Sequence, residues 1–388
     1  MGVTISNDVK YVGVDDKTID LFESQYVVPE GVTYNSYLIL DDKVALMDTV
    51  DARGMEEWEK NLMAELGGRK VDYLVVSHLE PDHAGSIGRL LELFPEVTLV
   101  GNAKTFAMLP QFFEVDNIEK LTVAEGDSLS LGKHTLTFYM APMVHWPEVM
   151  VSYESTEKIL FSADGFGKFG AMDAEDDEGW ACEARRYYFN IVGKYGAPVQ
   201  ALLKKAATLD IEKICPLHGP ILDENLEYYI GLYDTWSSYK PENKGVLVAY
   251  ASIHGNTGKA AEKFAEMLRK KGVEKVVVSD LAREDMAEVI EDAFRYDRMV
   301  VAGASYDGGV FPCMQDFLHH LQSKAYQNRT VGIIENGSWA PCAAKAMKAV
   351  LETMKNVTVV EPSVTIKSTM KDADIPAMEA LADAIANA

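Results

Sequence analysis

The stretch His78–His83 has the sequence HLEPDH and places four potential metal ligands in six residues. It directly follows residues 71–77, VDYLVVS, whose β-branched and aromatic side chains predict a buried strand. In α/β proteins, functional sites usually lie at the carboxyl ends of such strands. In an extended turn His78 and Glu80 can face one point, while the last two residues begin the next helix and can face a second. The stretch therefore predicts a metal site, and the alternative is an ordinary polar surface loop.

Three more potential ligands follow strand candidates further along the chain. His145 lies in MAPMVHWP, Asp164 in FSADGF and His218 in ICPLHGP. In each segment a predicted strand comes before the ligand, and a glycine or proline comes soon after it. Any one of these residues alone would more often be a core or loop residue. Together with HLEPDH they indicate a single site.

The composition limits the class of protein. The 388 residues suggest roughly two to three domains at about 150 residues each, and 48% hydrophobic residues are enough for sizeable cores. The formal net charge is −23 and the isoelectric point is about 4.7. This excess argues against nucleic acid or an anionic membrane as a partner, because their phosphates would repel it. A solvated acidic surface is the simplest explanation of the charge.

The cysteines and the absence of apolar stretches predict a compartment. The four cysteines, at positions 182, 215, 313 and 342, form no C-x-x-C pair, which is typical of reduced thiols and not of disulfides or a thiolate zinc site. The first residues show no basic start followed by an apolar stretch, so we expect no signal peptide. There is no run of about 18 apolar residues, so we expect no membrane span. The expected location is the cytoplasm.

Two parts with different patterns divide the chain. Residues 1–242 alternate strands and helices without a simple repeat, and they include predicted helices at Met55–Leu66 and Trp180–Val192. Residues 236–245 are polar and rich in helix breakers, which predicts a linker. The part from 243 to 388 alternates strands with amphipathic helices. Such alternation predicts a parallel sheet with helices on both faces.

The ligand candidates, taken in order, resemble the metallo-β-lactamase superfamily, whose pattern is H-x-H-x-D-H followed by His, Asp and His. They are His78, Glu80, Asp82, His83, His145, Asp164 and His218. Glu80 stands where the hydrolases of that superfamily have a second histidine, and it adds a hard anionic oxygen. Mixed imidazole and carboxylate ligation suits non-haem iron, whereas zinc in this superfamily is held by more histidine. The variant H-x-E-x-D-H is the mark of the flavodiiron proteins.

The second part is similar to flavodoxins. The segment SIHGNT follows the strand candidate 245–251 and begins a helix, and its hydroxyls, glycine and helix N-terminus predict an anion site. Its S-x-x-x-N-T pattern resembles the phosphate loop of flavodoxins, and the loops 303–309 and 335–341 match in position those that hold the flavin ring. Tyr306 and Trp339 are candidates for contact with the ring, with simple loop packing as the alternative. The FMN-binding candidates are Ser252, Ile253, His254, Gly255, Asn256, Thr257, Ser305, Tyr306, Asp307, Gly308, Asn336, Gly337, Ser338 and Trp339.

The resemblance covers essentially the whole chain and implies a fold. It implies an α/β protein in which a metallo-β-lactamase-like αββα sandwich, residues 1–242, carries a diiron site. A flavodoxin-like doubly wound parallel sheet, residues 243–388, would follow and bind FMN. The resemblance also assigns the ligands: one iron would take His78, Glu80 and His145, the other Asp82, His83 and His218, and Asp164 would bridge the two.

The activity that the resemblance implies is the reduction of a diatomic gas. Two ferrous ions and reduced FMN together hold four electrons, which reduce one O2 to two waters or four NO to two N2O. We expect O2 reduction as the main activity with NO reduction alongside it, and the alternative is mainly a nitric oxide reductase. Two other classes stay open: a zinc-dependent hydrolase with a flavodoxin tail, and a flavodoxin-like electron carrier with a degenerate first domain.

The resemblance also implies partners and further site residues. Because the chain has no C-x-x-C pairs, we expect no fused rubredoxin and therefore an external electron donor such as a rubredoxin. In the family the FMN of one subunit faces the diiron site of another, so we expect a head-to-tail homodimer or a homotetramer. Tyr195 is the candidate catalytic tyrosine near the metals, and Tyr26 is a candidate for lining the pocket, with core packing as the alternative for both.

Overall fold

A computed structural model describes residues 5–114, 117–174 and 179–388 of the chain. Contacts between residues divide it into two compact units. The first comprises Met1–Tyr188 and Ala197–Asp234, and the second comprises Phe189–Gly196 and Thr235–Ala388. The boundary at residues 242 and 243 stays a prediction.

The strands and helices of the described residues are numbered in chain order. The strands of the first unit are β1 (Val9–Tyr11), β2 (Val14–Asp16), β3 (Leu21–Phe22), β4 (Tyr26–Val27), β5 (Val32–Tyr34), β6 (Tyr37–Ile39), β7 (Ala45–Met47), β8 (Tyr73–Val75), β9 (Thr98–Gly101), β10 (Lys120–Thr122), β11 (Ser128–Ser130), β12 (Thr135–Met140), β13 (Met150–Glu154), β14 (Ile159–Phe161) and β15 (Lys213–Cys215). Those of the second unit are β16 (Asn243–Ala251), β17 (Val276–Asp280), β18 (Tyr296–Tyr306), β19 (Gly309–Val310), β20 (Thr330–Asn336), β21 (Thr358–Val359) and β22 (Val364–Ile366). The helices are α1 (Met55–Leu66), α2 (Pro81–Ala84), α3 (Ile87–Leu93), α4 (Ala103–Met108), α5 (Ala181–Tyr187), α6 (Gly196–Ala206), α7 (Leu226–Ser237), α8 (Asn256–Lys270), α9 (Met286–Arg295), α10 (Pro312–Ser323), α11 (Ala343–Leu351) and α12 (Ile375–Ala386).

Two mixed sheets form the centre of the first unit. One has the strand order β1-β6-β7-β8-β9-β10, and the other has the order β11-β12-β13-β14-β15. Side chains from both sheets share one buried core, in which Tyr37 and Met47 of the first sheet join Phe138, Met150 and Phe161 of the second. Burial of this apolar surface stabilises the sandwich by roughly 25 cal/mol for each Å² removed from water.

The direction of the strands brings the ligand-bearing loops to one edge of the second sheet. Strand β13 is antiparallel to both β12 and β14, and β14 is parallel to β15. The carboxyl ends of β12, β14 and β15 therefore lie at the same edge. The loops that leave these ends carry His145, Asp164 and His218 respectively.

The second unit is built on a parallel sheet with the strand order β17-β16-β18-β20-β21, and β22 also pairs with β20. This is the 2-1-3-4-5 order of flavodoxin-like folds. Helix α8 packs its apolar stripe on the sheet, since Ala260, Phe264, Met267 and Leu268 recur at helical spacing and are buried in its core. The predicted parallel sheet with flanking helices is confirmed.

Three segments differ from the sequence expectations. Residues 236–245, predicted as a linker, hold the end of α7 and the start of β16, and their backbone is tied down within the second unit by Arg329, whose Nη1 donates to the carbonyl of Tyr239 at 2.8 Å. The predicted helix Trp180–Val192 is helical to its end, but it is α-helical only as α5 and continues as a π-helix at Tyr188–Val192. The short strands β1 to β4 were not predicted, because two- and three-residue strands are too short to show a period.

Candidate functional site

The HLEPDH stretch is held in place by Asp48. This carboxylate is buried, and its Oδ1 accepts hydrogen bonds from the backbone N–H groups of Ser77 at 2.7 Å and His78 at 3.3 Å. Strand β8 ends just before Ser77, and Pro81 then begins α2, a position at which proline costs no hydrogen bond. The chain therefore turns sharply and presents side chains to both sides.

The first pocket consists of His78, Glu80, His145 and Asp164, whose ligand atoms lie within 4.8 Å of one another. The Nε2 of His78 is 3.2 Å from Glu80 Oε2, 3.4 Å from His145 Nε2 and 3.3 Å from Asp164 Oδ2. The Nε2 of His145 is 2.9 Å from Glu80 Oε2 and 3.1 Å from Asp164 Oδ2. Four donor atoms thus surround one point.

The second pocket consists of Asp82, His83 and His218, whose ligand atoms also lie within 4.8 Å of one another. The Oδ2 of Asp82 is 3.2 Å from His83 Nε2 and 3.1 Å from His218 Nε2. Asp164 connects the two pockets, because its Oδ1 lies 3.2 Å from His83 Nε2 and 3.9 Å from His218 Nε2, while its Oδ2 faces the first pocket.

The separations within the pockets fit bound metal ions. First-row metals bind imidazole and carboxylate at about 2.0 to 2.2 Å, so two ligands at a right angle lie about 3 Å apart. Most ligand-to-ligand distances in both pockets are between 2.9 and 3.4 Å. Several buried ligand atoms have no hydrogen-bond partner in the described residues: both oxygens of Asp82 and Asp164, both ring nitrogens of His83, and Nε2 of His218. Buried polar groups without hydrogen bonds are costly, so this set fits atoms whose partner is a metal ion.

Charge in the first pocket is divided between carboxylates and imidazoles. Burial alone would raise the pKa of Glu80, but hydrogen bonds from His145 and His78 hold that pKa well below its ordinary value. Burial alone would lower the pKa of His145, yet Asp164 and Glu80 raise it to about 9. The metal-free first pocket therefore favours a proton on the imidazole of His145, and metal binding would release it.

The loop that carries His218 is fastened to the start of the chain. The Nδ1 of His218 donates to the carbonyl of Thr33 at 2.6 Å. Asn35 is fully buried, and its Nδ2 donates to the carbonyls of Pro216 and Gly219, each at 2.8 Å. The sequence alone did not indicate these contacts, because Asn35 stands in an apolar segment that lies 181 residues before Pro216 in the chain.

A cavity of about 750 Å³ lies at the carboxyl ends of the parallel strands in the second unit. It is lined mainly by the three loops that follow β16, β18 and β20, and every predicted FMN-binding residue except Gly255 lines it. Gly255 instead precedes α8 with a φ of +87°, a conformation that glycine adopts without strain. The N–H groups of the first turn of α8 are thereby presented to the cavity.

The rim of the cavity is aromatic and exposed. Trp339 is 93% exposed and Tyr306 is 43% exposed. A residue that the sequence did not indicate also lines the cavity: Ser368, whose N–H donates to Asn336 Oδ1 at 2.9 Å and whose carbonyl accepts from Asn336 Nδ2 at 2.8 Å. It was missed because it follows β22, which was not predicted as a strand.

Both parts of the chain are similar to known proteins. Residues 32–219 match the family model of the ODP family beta lactamase, and residues 247–368 match that of the flavodoxin domain. The chain is 31% identical to the rubredoxin-oxygen oxidoreductase of Megalodesulfovibrio gigas, over 97% of its own length and 95% of that protein. It is 30% identical to the nitric oxide reductase of Moorella thermoacetica, over 96% of its own length and 95% of that protein. The solved structure of rubredoxin oxygen:oxidoreductase from Desulfovibrio gigas superposes with a TM-score of 0.94 at 28% identity, over 100% of this chain and 98% of that one.

The chain belongs to the flavodiiron protein family. The expected fold, a metallo-β-lactamase-like domain followed by a flavodoxin-like domain, is confirmed. The flavodiiron chain is an oxidoreductase. None of its described helices is both long and apolar enough to cross a membrane.

The tyrosine that lies beside the ligands of this flavodiiron protein is Tyr187. Its ring is 5.4 Å from that of His218, and it is 1% exposed at the end of α5. Burial raises the pKa of Tyr187 well above its ordinary value, and the carboxylates of Asp164, Asp82 and Glu80 raise it further. The hydroxyl of Tyr187 is therefore neutral and lies near three carboxylates. The sequence did not indicate a role for this residue.

Tyr195 and Tyr26, the two tyrosines predicted from the sequence, contact other residues. Tyr195 ends a 3₁₀ turn in the second unit, is half-buried, and has Lys194 Nζ 6.0 Å from its ring centroid. Tyr26 is buried in the first unit with its ring 6.0 Å from that of Phe169. The catalytic role of Tyr195 stays a prediction.

Proposed function

We propose that this flavodiiron protein is an oxygen reductase that reduces O2 to water with four electrons, with reduction of NO to N2O as a second activity. The observation that carries the proposal is the pair of adjacent pockets that share one carboxylate, Asp164. A pair of redox metals at such a site can deliver electrons to both atoms of one diatomic molecule. The donor set of imidazoles and carboxylates suits non-haem iron.

The proposed ligands follow the two pockets. One iron would be held by His78, Glu80 and His145, the other by Asp82, His83 and His218, and both by Asp164. When bound, the diiron pair supplies two electrons and open coordination positions for the gas. The chain itself shields the site from solvent. All ligands except the half-buried Glu80 are buried, and the aromatic rings of Phe22 and Trp146 lie 5.3 Å from His218 and 5.2 Å from His78.

Tyr187 is proposed as a hydrogen-bond donor toward the reacting gas. Burial and, to a lesser degree, the nearby carboxylates raise the pKa of its hydroxyl, which therefore stays protonated. The reduction of O2 to water consumes four protons, so a neutral donor beside the ligands would assist the transfer of charge. Tyr195 remains a second candidate for this role.

FMN is the proposed occupant of the cavity in the second unit. Its phosphate would meet the N-terminus of α8 and the hydroxyls of Ser252 and Thr257, where backbone N–H groups and the helix dipole favour an anion. Its ring would lie between the loops that carry Tyr306 and Trp339, whose exposed aromatic faces provide stacking partners. Reduced FMN would contribute the other two electrons.

The proposed partners come from the relatives. The printed name of the M. gigas relative makes a rubredoxin the first electron donor to test. A head-to-tail homodimer or a homotetramer, and a cytoplasmic location, are part of the proposal. Because the protein has a net charge of −23, nucleic acid and anionic membranes are not proposed as its partners.

A nitric oxide reductase is the second candidate, because the relative from M. thermoacetica with that name is as similar as the oxygen oxidoreductase. The deciding experiment measures O2 and NO consumption by the same purified protein, supplied with a rubredoxin and its reductase, with iron and FMN assayed on that sample. Fast O2 loss without peroxide, with slower NO loss, supports the proposal. Fast NO loss with slow O2 turnover reverses the preference. No gas consumption by protein loaded with iron and FMN contradicts the proposed function.

A further inference from the structure

The ligand histidines of the two pockets differ in what their outer ring nitrogens contact. The Nδ1 of His78 is 2.8 Å from the carboxylate Oε1 of Glu148. The Nδ1 of His218 donates instead to a neutral carbonyl, that of Thr33, at 2.6 Å. The Nδ1 of His83 is buried and has no hydrogen-bond partner in the described residues. Of these three imidazoles, only that of His78 therefore has a carboxylate within hydrogen-bond distance of its Nδ1 in the described residues.

Glu148 is a buried carboxylate with few partners of its own. Its side chain is 0% exposed, and its Oε1 also accepts the backbone N–H of Leu79 at 2.9 Å. Its Oε2 is buried and accepts no hydrogen bond in the described part of the chain. Asn102 fixes the residue from behind, because its Nδ2 donates to the main-chain carbonyl of Glu148 at 2.6 Å. A buried carboxylate is costly unless a positive charge or hydrogen bonds compensate it. Here the imidazole of His78 is the side chain within hydrogen-bond distance of the Glu148 carboxylate.

We propose that Glu148 is a positioning residue that makes the first pocket the tighter of the two metal pockets. The inference rests on the proposed function, since it concerns the same two irons. A carboxylate that accepts a hydrogen bond from Nδ1 fixes the tautomer of His78, so that the lone pair of Nε2 is available to a metal ion. The carboxylate also makes Nε2 more basic. The second pocket lacks an equivalent hydrogen bond, because a neutral carbonyl orients His218 and Nδ1 of His83 has no hydrogen-bond partner in the described residues. The first metal ion added to the metal-free chain therefore enters the first pocket.

The substitution Glu148→Gln separates charge from shape. Glutamine keeps an Oε1 that can accept from both His78 and Leu79, and it has nearly the same volume. Loss of such an outer partner typically weakens metal binding by about tenfold to a hundredfold. We expect a loss of that size in the first pocket and no change in the second.

Glu154→Gln is the matched control. Glu154 is also 0% exposed, lies six residues further along at the end of β13, and has its Oε1 3.1 Å from Nδ1 of a buried histidine, His134. His134 belongs to neither pocket. Glu148→Asp is the rescue variant, because it keeps the charge while shortening the side chain.

The experiment is an anaerobic titration of the metal-free, full-length chain with Co²⁺, followed by ligand-field absorption, and with ⁵⁷Fe²⁺, followed by Mössbauer spectra. His145→Ala and His83→Ala, which disable the first and the second pocket respectively, assign each binding step. We expect two steps in the unchanged protein, the tighter one lost in His145→Ala. We expect Glu148→Gln to weaken that step and to change one of the two iron signals, and Glu154→Gln and Glu148→Asp to keep both.

Each other outcome overturns the inference in a distinguishable way. If Glu148→Gln binds both ions as Glu154→Gln does, the charge of Glu148 has no role, while the proposed function stands. If Glu148→Gln keeps the tight step and Glu148→Asp loses it, shape and not charge holds His78, and the inference is wrong. If the unchanged protein binds no metal at all, the proposed function fails together with the inference.

Discussion

The substitution Asn35→Leu tests whether the His218 loop is held by one buried amide. Leucine has the same branching and the same number of side-chain heavy atoms as asparagine, so the change removes hydrogen bonds without leaving a cavity. The Nδ2 of Asn35 donates to the carbonyls of Pro216 and Gly219, and its Oδ1 accepts from the hydroxyl of Tyr11 at 3.0 Å. All three contacts are lost in the variant.

The magnitude follows from what each former partner retains. The Pro216 carbonyl keeps a second donor, the hydroxyl of Tyr37 at 2.6 Å, so its loss is about 1 kcal/mol. The Gly219 carbonyl loses its side-chain donor in a buried loop, which costs about 1 to 3 kcal/mol. The half-buried hydroxyl of Tyr11 adds about 1 kcal/mol. The sum is a loss of about 3 to 5 kcal/mol in the free energy of unfolding of the first unit.

Two assays read out the change. In urea unfolding of the metal-free chain, a slope of about 3 kcal/mol per M converts this loss into a midpoint about 1 to 1.7 M lower. Metal content should fall from two irons to about one for each chain, because only the second pocket depends on His218. The matched control is Asn61→Leu: Asn61 is half-buried and its Nδ2 makes one contact, to the Gly13 carbonyl at 3.0 Å, so its loss should be about 1 kcal/mol.

A variant Asn35→Leu that retains two irons and loses no more stability than Asn61→Leu would refute this reasoning. The two contacts of Thr33 would then suffice to hold the loop: its carbonyl accepts from His218 Nδ1, and its Oγ1 accepts from Gly219 N at 2.7 Å.

Three further predictions concern the pockets and the cavity. His83→Asn should lose one iron and abolish turnover while keeping FMN. His134→Asn removes an equally buried imidazole elsewhere and should keep both irons. Iron and flavin analysis tests this, and full activity of His83→Asn would contradict the ligand assignment. Thr257→Ala should weaken FMN retention by about tenfold, the value of one hydrogen bond to a charged group, as measured by flavin fluorescence on dilution; an unchanged affinity would remove this residue from the phosphate site. Tyr187→Phe should lower the rate of gas reduction with iron content unchanged, while Tyr188→Phe, its buried neighbour, should leave the rate unchanged; equal rates in both variants would exclude a proton-donating role.

The clustering of the ligand residues could be predicted because strand ends carry a clear signal. Each ligand candidate follows a run of β-branched and aromatic residues and precedes a glycine or proline, so the parallel alignment of strand ends places the candidates together. The structure brings all seven into two neighbouring pockets. Likewise α1 has the predicted bounds Met55–Leu66, since Trp58, Leu62 and Leu66 form one buried stripe and Gly67, with φ +57°, ends the helix.

The residues that support the ligands could not be predicted, because their roles exist only through long-range contacts. Glu148 and Asn35 show no motif, and nothing in their local sequence distinguishes them from other polar residues near strands. The end of α5 illustrates the same limit. The apolar pattern continues to Val192, but Phe189 stacks on Phe294 at 4.3 Å and Asn190 Nδ2 donates to the Ala287 carbonyl within the second unit. These contacts accompany a change from α-helical to π-helical hydrogen bonding at Tyr188–Val192, which the local sequence does not show.

The buried ligand atoms without hydrogen-bond partners link the lifetime of the protein to the supply of iron. A ligand that binds only the folded state stabilises it in proportion to the logarithm of its free concentration, by about 1.4 kcal/mol for each tenfold increase above the dissociation constant. The metal-free fold carries the cost of these buried polar atoms without hydrogen bonds. In an iron-poor cell a larger fraction of chains would therefore be unfolded and open to proteases. The abundance of this protein should then rise and fall with cellular iron even when its synthesis is constant.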